Sequence, residues 1–300
     1  MSNPLSLSIL IPVYNYDVGP LVRALSEQCS RKAVSFEIRI YDDASDLDKK
    51  KVNKKYATLP GVVYKELEQN IGRSRIRNLL AREAAYEELL FLDCDCKIPS
   101  KNFIEIYLLN NTSDVVIGGT IYAPDKPKEK IYSLHWKAGK FREERSANER
   151  VDHPYHRVTL NNIMILRDTF MDVMLDESII SYGHEDTKFG QQLEEKRIPI
   201  RHIDNPVIHK GLNTNADYLE KTKEAQDNLY RLYSKQGYGA ETGVVKAYKR
   251  LEKFKLKRGF ILFYRLIQPI IENNLNSGTP SLFFFDLFKL YHFIKEEREG

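Results

Sequence analysis

The chain has 300 residues, 42% of them hydrophobic, and its 46 Lys and Arg against 42 Asp and Glu give a formal net charge of +4. This size and apolar content suit one large domain with an appendage, and the small positive charge is not that of a dedicated nucleic-acid-binding protein. Three cysteines argue against a disulfide framework and favour a reducing, cytoplasmic environment.

Strands alternate with helices over the first third of the chain. Apolar runs predict strands over residues 7–13, 36–41, 62–64 and 89–92. Helical spacing of apolar residues predicts helices over 18–30 and 73–88. This alternation indicates a mostly parallel sheet with helices on both faces, and ligands bind beyond the carboxyl ends of the strands in such sheets.

Polar clusters stand where three of these strands end. Tyr14-Asn15 follows the first strand, Asp42-Asp43 the second and Asp93-Cys94-Asp95 the fourth. Two carboxylates at i and i+2 can both reach a divalent cation, and oxygen ligands suit Mg²⁺ or Mn²⁺, which hold phosphate in turn. The pattern therefore predicts a nucleotide or nucleotide-sugar site. Cys94 and Cys96 also resemble half of a zinc site, but no second Cys or His pair follows at a suitable spacing.

The middle of the chain predicts a strand over 115–119 and then a long polar segment. Residues 124–157 are rich in charges and are predicted to form an irregular lid or loop. The turn Tyr182-Gly183-His184-Glu185-Asp186 opens a helix that runs to Glu195, and strands are predicted over 198–203 and 207–208.

The last third is helical and basic, with two apolar, aromatic-rich segments over 260–271 and 281–294. The basic run 246–258 precedes them, and this combination suits peripheral contact with an anionic membrane through residues 246–294. Packing on the catalytic domain and a homodimer contact are the alternatives. No signal peptide is predicted from the first residues, and no uninterrupted apolar run reaches the roughly 18 residues of a transmembrane helix.

Five motifs resemble, in order, those of family 2 glycosyltransferases, which have the GT-A fold. Ser8-Ile9-Leu10-Ile11-Pro12-Val13-Tyr14-Asn15 is similar to their first strand, and Asp42-Asp43-Ala44-Ser45 to their Asp-Asp-Gly-Ser turn, with Ala44 replacing Gly. Asn70-Ile71-Gly72 followed by Arg77-Asn78 resembles their Asn-x-Gly…Ala-Arg-Asn segment, with Ile76 replacing Ala.

The last two motifs lie further along the chain. Asp93-Cys94-Asp95 falls where the metal-binding Asp-x-Asp of the family belongs, and His184-Glu185-Asp186 resembles its Glu-Asp motif. Asn161-Asn162 resembles the segment that lies near the donor sugar. The resemblance spans about residues 5–215.

The resemblance implies an α/β architecture: a GT-A fold with a Rossmann-like, mostly parallel central sheet flanked by helices, and a C-terminal helical extension. Residues 1–215 are expected to form the catalytic domain. Within it, 1–110 form the nucleotide-sugar-binding half and 111–215 the acceptor-binding half. Residues 216–300 form the helical extension.

The donor site is expected to use Pro12, Tyr14, Asp43, Arg77 and Asp93. Tyr14 can stack on the base, and Asp43 can accept a hydrogen bond from a uracil N–H. The adjacent Asp42 can equally well serve only to cap the turn. Arg77 is expected to contact the diphosphate or to pack, because cations at the start of a helix oppose its dipole unless an anion is near.

The metal site implied by the resemblance holds Mn²⁺ or Mg²⁺. Asp95 is its expected direct ligand, and Asp93 reaches the ribose or a metal-bound water. His209 is expected to complete the metal shell, as a late His does in related enzymes, although an ordinary packed or surface His is an equal reading. The metal neutralises charge on the leaving diphosphate.

The family reaction is a single displacement with inversion, and it needs a base that deprotonates the acceptor hydroxyl. Asp186 is the expected base, and Glu185 is expected to bind acceptor hydroxyls, or the two roles are exchanged. A simpler reading is that both residues merely favour a helix N-terminus.

The resemblance therefore predicts a hexosyl- or N-acetylhexosaminyltransferase that moves a sugar from a nucleotide-sugar, expected to be UDP-linked, to a glycan or lipid-linked acceptor. Such an enzyme would act in cell-surface polysaccharide synthesis, in the cytoplasm or at the inner face of the membrane. The alternative is a non-catalytic nucleotide- or sugar-binding scaffold. A dehydrogenase and a nucleotidyltransferase are disfavoured because no Gly-rich loop follows the first strand, and a dehalogenase-like phosphatase because Lys97 stands two residues after Asp95.

Overall fold

A computed structural model describes residues 6–32 and 34–299. The strands are β1 (Ser6–Val13), β2 (Ser35–Asp42), β3 (Val62–Glu66), β4 (Glu88–Leu92), β5 (Cys96–Lys97), β6 (Val115–Ile117), β7 (Thr120–Ile121), β8 (Asn162–Leu166), β9 (Ile200–His202) and β10 (Val207–His209). The strands predicted from the apolar runs are all present, with bounds that differ by a few residues.

The helices alternate with these strands and then follow them without interruption. They are α1 (Gly19–Arg31), α2 (Leu47–Lys54), α3 (Arg73–Glu83), α4 (Phe103–Leu109), α5 (Ser133–Ala138), α6 (Ala147–Val151), α7 (Arg167–Val173), α8 (Glu185–Glu195), α9 (Asn215–Gln236), α10 (Gly243–Lys253), α11 (Lys257–Leu275) and α12 (Leu282–Glu299).

The chain divides into two compact units. The first comprises Met1–Ile121, Glu144–Ile180 and Phe189–Gly211, and the second comprises Tyr122–Glu143, Ser181–Lys188 and Leu212–Gly300. The second unit thus takes two segments from within the range predicted for the catalytic domain. The predicted functional boundary at residue 215 stays a prediction.

The first unit is built on a seven-stranded sheet in the order β3-β2-β1-β4-β8-β6-β9. Of these strands only β8 is antiparallel to its neighbours. A small second sheet has the order β5-β10-β7. The predicted α/β architecture with a mostly parallel sheet is confirmed, and so is the predicted presence of C-terminal helices.

The central strands read as continuous apolar runs because both faces of the sheet are covered. In β1, Leu7, Ile9 and Ile11 pack into one cluster with α1 and α4, whereas Leu10 packs into the cluster on the other face with α3. The two clusters fix the register of β1 against β2 and β4, and so the level at which all three strands end.

Two helical predictions need correction. The helix α3 ends at Glu83 rather than Glu88, because Ala84 is extended and β4 begins at Glu88. The prediction of an irregular segment over 124–157 is wrong, since α5, α6 and short 3₁₀ and π turns occupy much of it. Its helices are short and local, and α6 is held by a capping box between Ser146 and Glu149.

The second unit has its own apolar core, formed by helices α5 and α9–α12. Tyr264 of α11 stacks on Tyr291 of α12 with ring centroids 4.0 Å apart. His135 of α5 stacks on Tyr218 of α9 at 4.2 Å. Among the described helices, none is long and apolar enough to cross a membrane.

Candidate functional site

Three neighbouring strands of the first unit end in polar residues on one edge of the sheet. β1, β2 and β4 lie side by side and run parallel, so Tyr14, Asp43 and Asp93 all follow carboxyl ends at the same edge. Tyr14 is 55% exposed, so part of this residue is accessible to a ligand. Pro12 is half-buried within β1. The roles predicted for both residues stay predictions.

The two adjacent carboxylates after β2 have different partners. Asp42 caps the turn, because its Oδ1 accepts a hydrogen bond from the Ser45 backbone N–H at 2.7 Å. Asp43 accepts hydrogen bonds from the N–H groups of Ile71 at 2.7 Å and Gly72 at 3.1 Å. Burial nevertheless holds the pKa of Asp43 above its ordinary value. Each oxygen keeps a lone pair beyond these bonds, so a role toward a base N–H stays open.

Ala44 has a backbone conformation that normally favours glycine. Its φ is 61°, in the left-handed region where a side chain costs energy and glycine does not. The turn is held in spite of this, since the N–H of Asn15 donates to Ser45 Oγ at 2.8 Å and the N–H of Asp46 to Asn15 Oδ1 at 2.7 Å. The chain therefore keeps the turn geometry although it lacks the usual residue.

Arg77 and Asp93 form an ion pair beneath this edge. Arg77 Nη2 lies 2.5 Å from Asp93 Oδ1, and the arginine is almost fully buried whereas Asp93 keeps partial solvent access. Burial alone would raise the pKa of Asp93, but the guanidinium of Arg77, with that of Arg73, holds it below its ordinary value. Arg77 thus fixes Asp93 in its ionised form, and its predicted contact with a diphosphate stays a prediction.

We expect Arg77→Met to destabilise the protein by about 2 kcal/mol, because it leaves a partly buried carboxylate without its cation. Since the folded pKa of Asp93 is depressed, the pair stabilises the fold above the ordinary titration range of a carboxyl and loses this effect as pH falls through the folded pKa. The difference between the proteins should shrink on acidification. Chemical denaturation at several pH values measures it.

Arg75 provides a matched control on the same helix. Its side chain is 51% exposed and its ion pair with Glu177 is long, at 3.9 Å. Arg75→Met should therefore change stability by no more than about 0.5 kcal/mol. An equal loss of stability in the two variants would show that the Arg77–Asp93 pair has no special weight.

Asp95 and His209 meet across the small second sheet. β5 and β10 pair antiparallel with Cys96 opposite His209, and the N–H of Lys210 donates to the Asp95 carbonyl at 2.9 Å. This pairing brings His209 Nδ1 to 3.6 Å from Asp95 Oδ1. Asp95 and His209 are 114 positions apart in the chain, and the pairing of β5 with β10 brings them together.

Gly211 gives the Asp95 side chain its space. A Cβ on Gly211 would lie 1.9 Å from Asp95 Oδ2, so any other residue would push the carboxylate from its position. Sequence reasoning missed this glycine. The sequence offered one indication of this glycine, which is its position two residues after His209, where β10 ends.

The residues at this point fit a divalent cation. Asp95 Oδ1 is buried and, among the described residues, has no hydrogen-bond partner, an arrangement that leaves an anionic oxygen for a ligand. Burial and the neighbouring Asp93 raise the pKa of Asp95, while His209 opposes this in part. A bound cation would favour the ionised form. Among the described residues, no group of three or more His, Cys, Asp or Glu side chains is arranged to hold a metal ion. Mg²⁺ commonly binds one or two carboxylates and completes its shell with water and substrate phosphates.

The half-site for zinc has little support. Burial raises the pKa of the Cys94 and Cys96 thiols, and this disfavours the thiolate that zinc requires.

Asn162, from the segment expected near a donor sugar, is fully buried. It donates to the carbonyls of Gly119 and Asn205 and accepts from Tyr107, so its side chain is used within the fold.

Glu185 and Asp186 begin α8 in the second unit. Glu185 is buried, whereas Asp186 keeps partial solvent access. Two consecutive residues of the turn before them have positive φ: 101° at Gly183, which glycine adopts freely, and 69° at His184, where a side chain costs energy. His184 Nδ1 lies 3.1 Å from Thr187 Oγ1, and burial lowers the pKa of His184 to about 4, so its ring is neutral near pH 7.

Asn228 of α9 holds this turn, and sequence reasoning missed it. Its Nδ2 lies 3.3, 3.2 and 3.1 Å from the carbonyls of Ser181, Tyr182 and Gly183, and its Oδ1 accepts from the Ser181 hydroxyl at 3.0 Å. A single Asn in a helix has no distinctive sequence signal. It fixes the backbone that precedes the two acidic residues.

Comparison with known proteins gives a family and a fold. The model of the family described as Glycosyl transferase family 2 matches residues 8–170. Among solved structures, S. aureus TarS is 19% identical with a TM-score of 0.52, covering 77% of this chain and 44% of TarS, so this chain spans less than half of that protein. A comparison with curated proteins finds no match.

A second solved structure is similar to a comparable degree. The mannosyltransferase PcManGT from Pyrobaculum calidifontis, in complex with GDP-Man and Mn²⁺, is 13% identical with a TM-score of 0.51, covering 78% of this chain and 64% of that one. At these identities the two structures establish the GT-A fold of this chain, and their ligands are facts about those proteins.

Proposed function

The chain belongs to glycosyltransferase family 2, and we propose that within it the protein is an inverting, metal-dependent hexosyl- or N-acetylhexosaminyltransferase. It moves a sugar from a UDP-linked donor to a hydroxyl of a glycan or lipid-linked acceptor. The observation that supports this most strongly is the buried Oδ1 of Asp95, which accepts no hydrogen bond from any described residue and lies 3.6 Å from His209 Nδ1.

The donor site of this proposal lies in the first unit. Tyr14 stacks on the base, Asp43 accepts a hydrogen bond from it, and Pro12 lines the same strand end. Asp93, held ionised by Arg77, faces the ribose or a metal-bound water. Asp95 and His209 hold Mn²⁺ or Mg²⁺, which when bound supplies positive charge against the leaving diphosphate. The presence of GDP-Man and Mn²⁺ in PcManGT supports a metal and a nucleotide-sugar, and makes a GDP-linked donor the alternative to test.

The acceptor chemistry is assigned to the start of α8. Asp186 takes the proton of the acceptor hydroxyl as that oxygen attacks the anomeric carbon, and Glu185 orients the acceptor. Partial exposure of Asp186 supports its role as the base. A base must meet substrate within hydrogen-bond reach, which an accessible carboxylate can do without rearrangement.

The proposal extends to organisation and place. Residues 1–110 bind the nucleotide-sugar, 111–215 bind the acceptor and 216–300 form an extension. The protein acts in the cytoplasm, at the inner face of the membrane, in cell-surface polysaccharide synthesis. The alternative to membrane contact is that the helices of the extension join two copies of the chain in a homodimer.

Calorimetric titration with UDP, with and without Mn²⁺, tests the proposal. We expect the dissociation constant to fall about tenfold or more when Mn²⁺ is present, because a cation held by Asp95 and His209 would add positive charge that attracts the diphosphate. Metal-tightened binding of GDP instead would correct the donor. Binding of UDP without any turnover on a panel of sugars and acceptors would favour a scaffold, and no binding of any nucleotide would overturn the proposed function.

A further inference from the structure

The helix α11 is apolar on two sides. Ile261, Tyr264, Ile271 and Leu275 are buried in the core of the second unit. The opposite side is also apolar: Leu262 is 69% exposed, Leu266 80% and Ile270 61%, with Phe263 beside them at 51%. A helix of a globular domain normally turns charged residues toward water. The exposed side of α11, formed by Leu262, Phe263, Leu266 and Ile270, is called here the leucine face.

The leucine face continues into the turn before the helix. Phe254 and Leu256 are both more than half exposed there, and they flank Lys255. Exposed apolar side chains therefore occur both in this turn and along α11, a helix that is about 28 Å long at 19 residues. Large apolar side chains exposed in a group on one side of a helix are typical of a site of interaction.

Positive charge borders the same surface. At 100° per residue, Arg258 and Arg265 lie along one edge of the leucine face, and Lys255 lies in the turn. None of these three side chains forms an ion pair with a carboxylate of residues 6–32 or 34–297. Lys253, at the end of α10, has its Nζ 5.9 Å from the ring centroid of Phe254. Its charge thus lies close to the same turn.

These observations select the occupant. Another protein copy would have to supply apolar contacts and several carboxylates at matching positions. An anionic bilayer offers both at once without any specific geometry, because its interior accepts leucine and phenylalanine while its headgroups attract lysine and arginine. We propose that the leucine face, with the turn at 254–256 and its basic border, lies on the surface of an anionic membrane.

In this arrangement α11 lies in the plane of the membrane and does not cross it. Its apolar side enters the region between headgroups and acyl chains, and its arginines reach the phosphates. The membrane contact would hold the enzyme near a lipid-linked acceptor, and only this consequence rests on the proposed function. The contact itself needs no substrate.

Co-sedimentation of the full chain with vesicles tests the proposal. We expect binding to vesicles of phosphatidylcholine mixed with phosphatidylglycerol, weak binding to phosphatidylcholine alone, and a decline as salt is raised. Leu262→Gln with Leu266→Gln should weaken binding by about tenfold for each leucine. Replacing Lys255, Arg258 and Arg265 by Gln should remove most of the salt dependence.

Leu109→Gln is the matched control. Leu109 is 74% exposed in the first unit, so its loss should leave vesicle binding unchanged. Circular dichroism of each variant tests whether the fold persists, and UDP titration tests whether the donor site persists. A loss of vesicle binding can then be distinguished from a failure of the proposed activity. Absence of binding to anionic vesicles, or unchanged binding by the double leucine variant, overturns the proposal. So does a wild-type dimer that this variant converts to a monomer without any vesicle binding, since the leucine face would then join two copies.

Discussion

Asp186→Asn is expected to lower the turnover number for sugar transfer by about a thousandfold, the usual weight of a positioned general base. Asparagine has nearly the same shape as aspartate but cannot take a proton from the acceptor hydroxyl. The donor is bound by other residues in the proposal, so the dissociation constant for UDP with Mn²⁺ should stay unchanged. Steady-state kinetics together with calorimetry measure both quantities.

Glu185→Gln is the companion variant. If Glu185 orients the acceptor, its replacement should raise the KM for the acceptor more than it lowers the turnover number. If Asp186→Asn is active and Glu185→Gln is inactive, the assignment is reversed: Glu185 is the base and Asp186 binds the acceptor. Loss of UDP binding in Asp186→Asn would count against the assignment of a base altogether.

Asp95→Asn is expected to reduce transfer by about a hundredfold or more, because in the proposed site the amide would be a poor metal ligand and the positive charge opposite the diphosphate would be lost. The same change should abolish the effect of Mn²⁺ on UDP binding. Stability without metal should be equal or slightly higher, since burial and the neighbouring Asp93 disfavour the ionised form of Asp95.

A control for this prediction is Asp48→Asn. The Asp48 side chain is 73% exposed at the start of α2. It should leave both turnover and the Mn²⁺ effect unaltered. Wild-type transfer rates in Asp95→Asn would show that the metal assignment is wrong, and a large fall in the denaturation midpoint would show that Asp95 is structural.

The family and the fold class followed from local patterns. Apolar runs ended by polar residues predict strands whose carboxyl ends bind ligands, and five motifs in order indicate the family, because such features depend on residues close together in the chain. The helical content of residues 124–157 did not follow, since the helices there are short and their apolar positions too few to show a period.

The sequence by itself determined which residue types stand at the strand ends: Tyr14, Asp43, Asp93 and Asp95. Only the tertiary structure decided their partners. It paired Arg77 with Asp93, set His209 and Gly211 against Asp95 through the pairing of β5 with β10, and turned a second apolar side of α11 outward. The reason is physical. A strand's end is set by its own residues, whereas contacts between distant segments depend on sheet order and packing, which no local pattern records.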